Sequence, residues 1–153
     1  MATDVIVPKL NESMIFGVAK RTNCPFNIRY THKNNWLGQI GYVETSFGKY
    51  AKFSSFEYGV RAGVVLLRNY LRRGRTSIKS VLISFAPNSE NDLNSYTEYV
   101  CRRFVKRNLN MTDIVFDTPA FYELCSAICK YECGYTLTHE YIINVINQFK
   151  IKK

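Results

Sequence analysis

The side chain whose type and position best suit chemistry is Glu132. It continues the series Phe121, Leu124, Cys125, Ile128 and Cys129, whose i, i+3, i+4 spacing marks the apolar stripe of a helix, so a carboxylate rides on the inward track. Partial burial disfavours its ionised form, and the negative end of the helix dipole does the same, so both raise its pKa. A carboxyl kept protonated near neutral pH suits the general acid of glycoside cleavage, which gives its proton to a leaving sugar oxygen. That mechanism often uses a second acid, and Glu44, in Val43-Glu44-Thr45-Ser46-Phe47, is the preferred candidate. Glu57 is explained by a helix cap, and Glu90 and Asp92 by a turn and a cap. The competing reading of Glu132 is a carboxylate at the stripe's edge paired with an Arg or Lys.

Other chemistries find less in the sequence. It has no Gly-rich phosphate loop, no H-E-x-x-H and no G-x-S-x-G, and its histidines are His32 and His139. Cys24 with either histidine makes a formal nucleophile–base pair of the kind that arises by coincidence. Cys125, Cys129 and Cys133 line one side of a helix without a Cys-x-x-Cys pair or matching His spacing, so they read as small core residues. No metal and no cofactor is expected.

The elements that must position these residues follow from caps and breakers. Asn, Gly and Lys interrupt runs such as Gln39 to Glu44 and Phe47 to Phe53, which predicts a small β-rich lobe over about 23–53. Ser54 and Glu57 have the spacing of a capping box and predict a helix to about Arg73, closed by Gly74. Thr76 or Ser77 caps a short helix through Ile78, Leu82 and Ile83, stopped before Pro87. A third helix opens near Asn91 or Asp92 and carries Leu93, Tyr96, Val100, Phe104 and Val105 on one stripe. Thr118 and Pro119 start the fourth, which Gly134 closes after Cys133, and Thr138 caps a last helix through Ile142, Val145, Ile146 and Phe149. The fold class is α+β, mainly α, with about five helices, as one domain over 1–153: an N-terminal arm (1–20) and a core (21–150).

With 153 residues, 46% of them apolar, the chain can build one full core. The first fifteen residues lack the basic start and unbroken apolar run of a signal peptide, and no stretch is long enough to span a bilayer. Synthesis in the cytoplasm of the producing cell is expected, and five cysteines without a secretory signal fit reduced thiols. A net charge of +9, from 21 Lys and Arg against 12 Asp and Glu, draws the molecule to polyanions such as nucleic acid, anionic wall polymer or acidic lipid. The clusters Arg72, Arg73, Arg75 and Arg102, Arg103, Lys106, Arg107 also read as solvated helix faces.

Several segments, taken in order, resemble a phage and prophage family. Asn23-Cys24-Pro25-Phe26-Asn27-Ile28-Arg29 is similar to its N-N-P-G-N-I-R opening, and Trp36-Leu37-Gly38, Phe47 to Phe53 and Tyr58-Gly59-Val60-Arg61-Ala62 follow in the family's order. Phe85-Ala86-Pro87-Asn88-Ser89-Glu90-Asn91-Asp92, with Tyr96, resembles its W-A-P-P-x-E-N-D segment, and Ile128 to Gly134 its I-x-x-H-E-N-G ending. Asn27, Arg61, Glu90, Asn91 and Glu132 match; Cys24, Phe26, Phe85 and Cys133 replace the family's Asn, Gly, Trp and Asn, which affects any site built on those side chains. Members are usually labelled phage structural proteins.

A more distant likeness links residues 23–29 and Thr45 to Tyr50 to bacterial glucosaminidases, whose N-N-L-F-G-I-K segment precedes a similar phenylalanine-rich strand. There a glutamate helix precedes that segment, whereas here the helix that ends Tyr131-Glu132-Cys133-Gly134 lies at the other end of the chain. The resemblance implies a lysozyme-like, two-lobed domain with that helix permuted to the C-terminus. It implies a hydrolase of peptidoglycan glycan strands, with Glu132 as acid, Glu44 as second carboxylate, and Asn23, Asn27, Arg29, Trp36, Tyr50, Arg61, Glu90 and Asn91 on the substrate. The partner would be peptidoglycan or another anionic polymer, with virion proteins beside it, and the place of action the host wall, reached in the virion. Two further readings stand: a non-catalytic virion structural protein, and a basic nucleic-acid-binding domain, for which no motif accompanies the charge.

Overall fold

The computed structural model describes residues 18–74, 77–85, 90–105 and 109–153, the side chains of Glu90 and Asn91 excepted. In chain order the elements are α1 (Ala19–Thr22), β1 (Gln39–Thr45), β2 (Gly48–Phe53), α2 (Phe56–Arg72), α3 (Ile78–Leu82), α4 (Glu90–Cys101), a 3-10 turn (Met111–Asp113), α5 (Pro119–Cys133) and α6 (His139–Gln148). The architecture is mixed α+β and mainly helical, as the patterning predicts, with a single two-stranded antiparallel sheet among the described residues. No helix among them is long and apolar enough to cross a membrane.

Most helix ends follow the residues that predict them. Ser77 and Thr138 open α3 and α6 by accepting the backbone N–H of Ser80 and Tyr141. Gly134 closes α5 in the left-handed region at φ 79°, where a side chain would be strained. Three expectations shift. The cap of α2 is Ser55 rather than Ser54, with its side chain accepting from Tyr58 N–H. Thr118 does not cap α5 through its side chain, because its hydroxyl donates back to the Val115 carbonyl at 2.6 Å. The α4 helix stops at Cys101, so Val105 lies outside the stripe and is fully exposed, while Leu93, Tyr96 and Val100 are buried. Ala19 and Thr22, on α1, are buried.

The β-rich lobe is a hairpin with one more extended segment beside it. The strands pair Val43 with Tyr50 and Glu44 with Lys49, and Arg29 bridges to Tyr50 from the other side of β2. Residues directly opposite in antiparallel strands share a face. Arg29, Tyr50 and Val43 therefore point one way, and Glu44 and Lys49 the other.

Helix α2 meets the loop before this hairpin at very short range. A Cβ on Gly59 would sit 1.9 Å from the Asn23 carbonyl oxygen, and one on Gly63 2.1 Å from the Phe26 ring. Four residues apart, the two glycines make one groove on the helix, into which residues 23–26 settle. Around this contact α2 packs on α6, α6 on α5, and α5 on α4. Most of the buried apolar side chains, Val43 and Tyr50 excepted, form one cluster from Ala19 to Ile151 that includes all five cysteines, each a free thiol.

Candidate functional site

The apolar stripe of α5 delivers Glu132 as its spacing predicts. Phe121, Leu124, Cys125, Ile128 and Cys129 are fully buried, and Glu132, at the next inward position, is half-buried in the last turn. No Arg or Lys salt-bridges it among the described residues. Its carboxylate Oε1 instead accepts a hydrogen bond from Asn27 Nδ2 at 3.0 Å, and its backbone carbonyl accepts from the same nitrogen at 3.2 Å. Asn27 reaches it from the left-handed region, φ 50°, a conformation that asparagine tolerates better than most residues. The loop carrying Asn27 is pinned by Asn23, whose Nδ2 donates to the Phe53 carbonyl at 2.9 Å, and by Phe26 in the α2 groove.

Burial pushes the Glu132 carboxyl from its ordinary 4.5 up to about 7, against the opposing pull of Tyr96, the Asn27 hydrogen bond and the Arg29 charge. Near neutral pH it is thus close to half protonated, able both to give and to accept a proton. Arg29 is held by its own contacts: Nη1 donates to the Phe47 carbonyl at 2.8 Å, and the guanidinium lies 5.0 Å from the centre of the Tyr50 ring. Arg29 and Trp36 also line a small cavity of about 160 Å³ with Ile28, Tyr70 and Phe85.

Two tyrosines complete the surroundings: Tyr96, which the sequence pattern places on a core stripe, and Tyr131 beside it. The Tyr96 ring stacks on Tyr131 at 3.9 Å between centroids, nearly parallel. The Tyr96 hydroxyl is buried and has no partner of ordinary hydrogen-bond geometry, yet it lies near enough to Glu132 to lower that carboxyl's pKa. The Asn27 Oδ1 atom is likewise buried without a partner. Tyr131 stands partly exposed at the rim. The signal for Tyr96 was present, since its stripe and that of Glu132 are both inward faces, but only packing shows that the two faces meet.

The remaining candidates divide. Glu44 is exposed and lies opposite Lys49, on the sheet face away from Arg29 and Tyr50, so the hairpin does not turn it toward Glu132. Asn23 is spent on the Phe53 carbonyl and holds the loop. Arg61 lies 5.9 Å from the centre of the Phe149 ring, its pKa lowered by burial, and shares no contact with Glu132. Glu90 and Asn91 begin α4, and their side chains lie outside the described residues. The formal Cys–His pairs do not form: the Cys24 thiol donates to the Gly59 carbonyl and is pushed up to about 12 by burial, and His139 pairs with Glu123 at 2.9 Å.

Against this geometry, the chain is similar to a phage protein. It is 32% identical over 98 residues to Protein P5 of Pseudoalteromonas phage PM2, a match that takes in 61% of this chain and 59% of that protein. The chain therefore spans about three fifths of the length of this relative. No family model matches the sequence.

Proposed function

We propose that this chain is a phage virion protein, and that the Glu132 site gives it a catalytic role on the glycan strands of the host wall. The similarity to Protein P5 of phage PM2 supports a phage protein, and the motif resemblance to phage structural proteins supports the virion part. The catalytic part is carried by one observation: a half-buried carboxyl with a pKa of about 7, held by Asn27 and flanked by Tyr96 and Arg29.

In this reading Glu132 protonates the glycosidic oxygen as the C1–O bond breaks, and the electron pair leaves with that oxygen. Asn27 fixes the carboxyl's direction, and the partly exposed Tyr131 ring offers a face to a sugar. Positive charge gathers at C1 in the transition state, where the Glu132 carboxylate stabilises it; a water molecule then adds at C1 and gives a proton to that carboxylate, which completes the hydrolysis and restores the acid. The lysozyme-like likeness and the permuted glutamate helix belong to this proposal.

A non-catalytic virion protein is the second reading. The motif resemblance to phage structural proteins supports it, and the placement of Glu44 on the sheet face away from Arg29 and Tyr50 favours it over a two-carboxylate hydrolase. Incubating purified protein with isolated peptidoglycan between acid and neutral pH separates the readings. Release of muropeptides by the wild type, lost in Glu132→Gln, supports the enzyme. No release at any pH, together with co-purification of the protein with particles, leaves the structural role.

A further inference from the structure

A second surface, sharing no residue with the Glu132 site, gathers cations in an unusual way. Arg68 Nη1 donates to the Lys152 carbonyl at 2.9 Å, and Arg72 Nη2 donates to the Lys152 carbonyl and to the main-chain oxygen of Lys153. Two guanidiniums on one helix thus grip a segment whose own side chains are lysines. Burial and the charges of Arg72 and Arg61 all lower the pKa of Arg68, the direction expected of a cation crowded by its own kind. Like charges brought this close oppose folding, because repulsion grows as separation falls.

The gripped segment walls two adjoining cavities. One, of about 260 Å³, is lined by Arg68, Arg72 and Lys153 over a floor that includes Leu71, Met111 and Phe116. The other, of about 520 Å³, shares Phe116 and Lys153 and adds Lys150 and Lys152. Five cations line the pair. The acidic side chain among the lining residues is Asp117, and its Oδ1 already accepts the Tyr122 hydroxyl at 2.6 Å. Arg61, Arg68 and Arg72 also fall on one face of α2, seven and four residues apart. At ~1.5 Å per residue the steps are roughly 10 and 6 Å, which spreads three cations along that face of the helix.

We propose that this groove docks the phosphodiester backbone of DNA. A phosphate placed between the α2 arginines and the lysines of residues 150–153 offsets the repulsion that the fold otherwise leaves in place. Contacts of this kind fall on phosphates rather than base edges, so binding is independent of sequence. A virion protein meets a packaged genome, and this surface gives it a means of contact that does not use Glu132.

The test is the fluorescence anisotropy of a labelled duplex of about 20 base pairs, titrated with the full chain over a salt series. Phosphate contacts from four or so cations give a log–log salt slope of about −3 to −4. The variant to compare is Lys150→Gln/Lys152→Gln, because Arg68 and Arg72 also hold backbone and their loss disturbs the fold. It should weaken binding about tenfold and make the slope shallower by about 2. Lys33→Gln/Arg102→Gln removes the same charge elsewhere and should change little, with thermal melts showing that both variants fold. Equal loss in the two variants, or no retention of duplex at low salt, overturns the proposal. So does displacement of the duplex by polyglutamate as effectively as by unlabelled DNA at matched charge.

Discussion

Asn27 and Glu132 lie 105 residues apart in sequence, and one amide nitrogen of the first donates to both the backbone carbonyl and the carboxylate of the second. This joins the loop before the β-hairpin to the last turn of α5. A carboxyl at the end of a helix would otherwise swing with its three side-chain torsions; here it is aimed. The same contact moderates the acid, since hydrogen bonding to the ionised form lowers a pKa that burial has raised.

Stability should carry the signature of Glu132. Its folded pKa of about 7 lies above its ordinary 4.5, so the folded state holds the proton more tightly than the unfolded chain. The stabilisation is complete below the ordinary value and is lost as pH rises through the folded pKa, at up to about 1.4 kcal/mol per pH unit. Glu132→Gln mimics the protonated form and removes this dependence. It should match the wild type in Tm near pH 4 and exceed it by up to about 7–14 °C near pH 8. Tm curves that run parallel from acid to alkaline pH would count against the burial of this carboxyl.

Asn27→Gly keeps a residue suited to φ 50° and removes the amide. The Glu132 pKa should then rise above about 7, by about half a unit to one unit, in a side-chain carboxyl NMR titration. An unchanged or lower value would show that the amide does not donate to the carboxylate in solution.

Gly59→Ala should destabilise the chain by about 2 kcal/mol or more, because the added methyl meets the Asn23 carbonyl, a backbone atom that cannot swing away. Gly74→Ala meets nothing within 4 Å and carries only the strain of φ 72°, about 1 kcal/mol. Urea midpoints rank the two. The reverse order would mean that the α2 groove is looser than described.

Glu44→Gln should leave muropeptide release within about twofold of wild type if wild type is active, since that carboxylate lies on the sheet face away from Arg29 and Tyr50. A loss as deep as that of Glu132→Gln would restore Glu44 to the chemistry and require the hairpin to turn over.

The unfolded sequence already contained the helices, because their signals are local. Ser77, Thr138 and Gly134 act on backbone groups within a few residues, and the stripe that carries Glu132 inward is a property of helical period alone. The raised pKa of that carboxyl followed from the same period, which turns it inward. Small shifts came from equally local competition: Ser55 took the cap expected of its neighbour, and the Thr118 hydroxyl chose the Val115 carbonyl.

What the linear pattern could not decide was which faces meet. Glu44 looked available because its strand lies in the right lobe, but strand register assigns alternate residues to opposite faces, and the pairing of Val43 with Tyr50 turned it outward with Lys49. Tyr96 looked like ordinary core until α4 packed on α5 and brought its hydroxyl beside Glu132. The cations of α2 and of residues 150–153 are some eighty positions apart, and only the folded chain closes them into one groove. Local hydrogen bonds and periodicity write the elements; the choice of neighbours belongs to packing, which depends on every element at once.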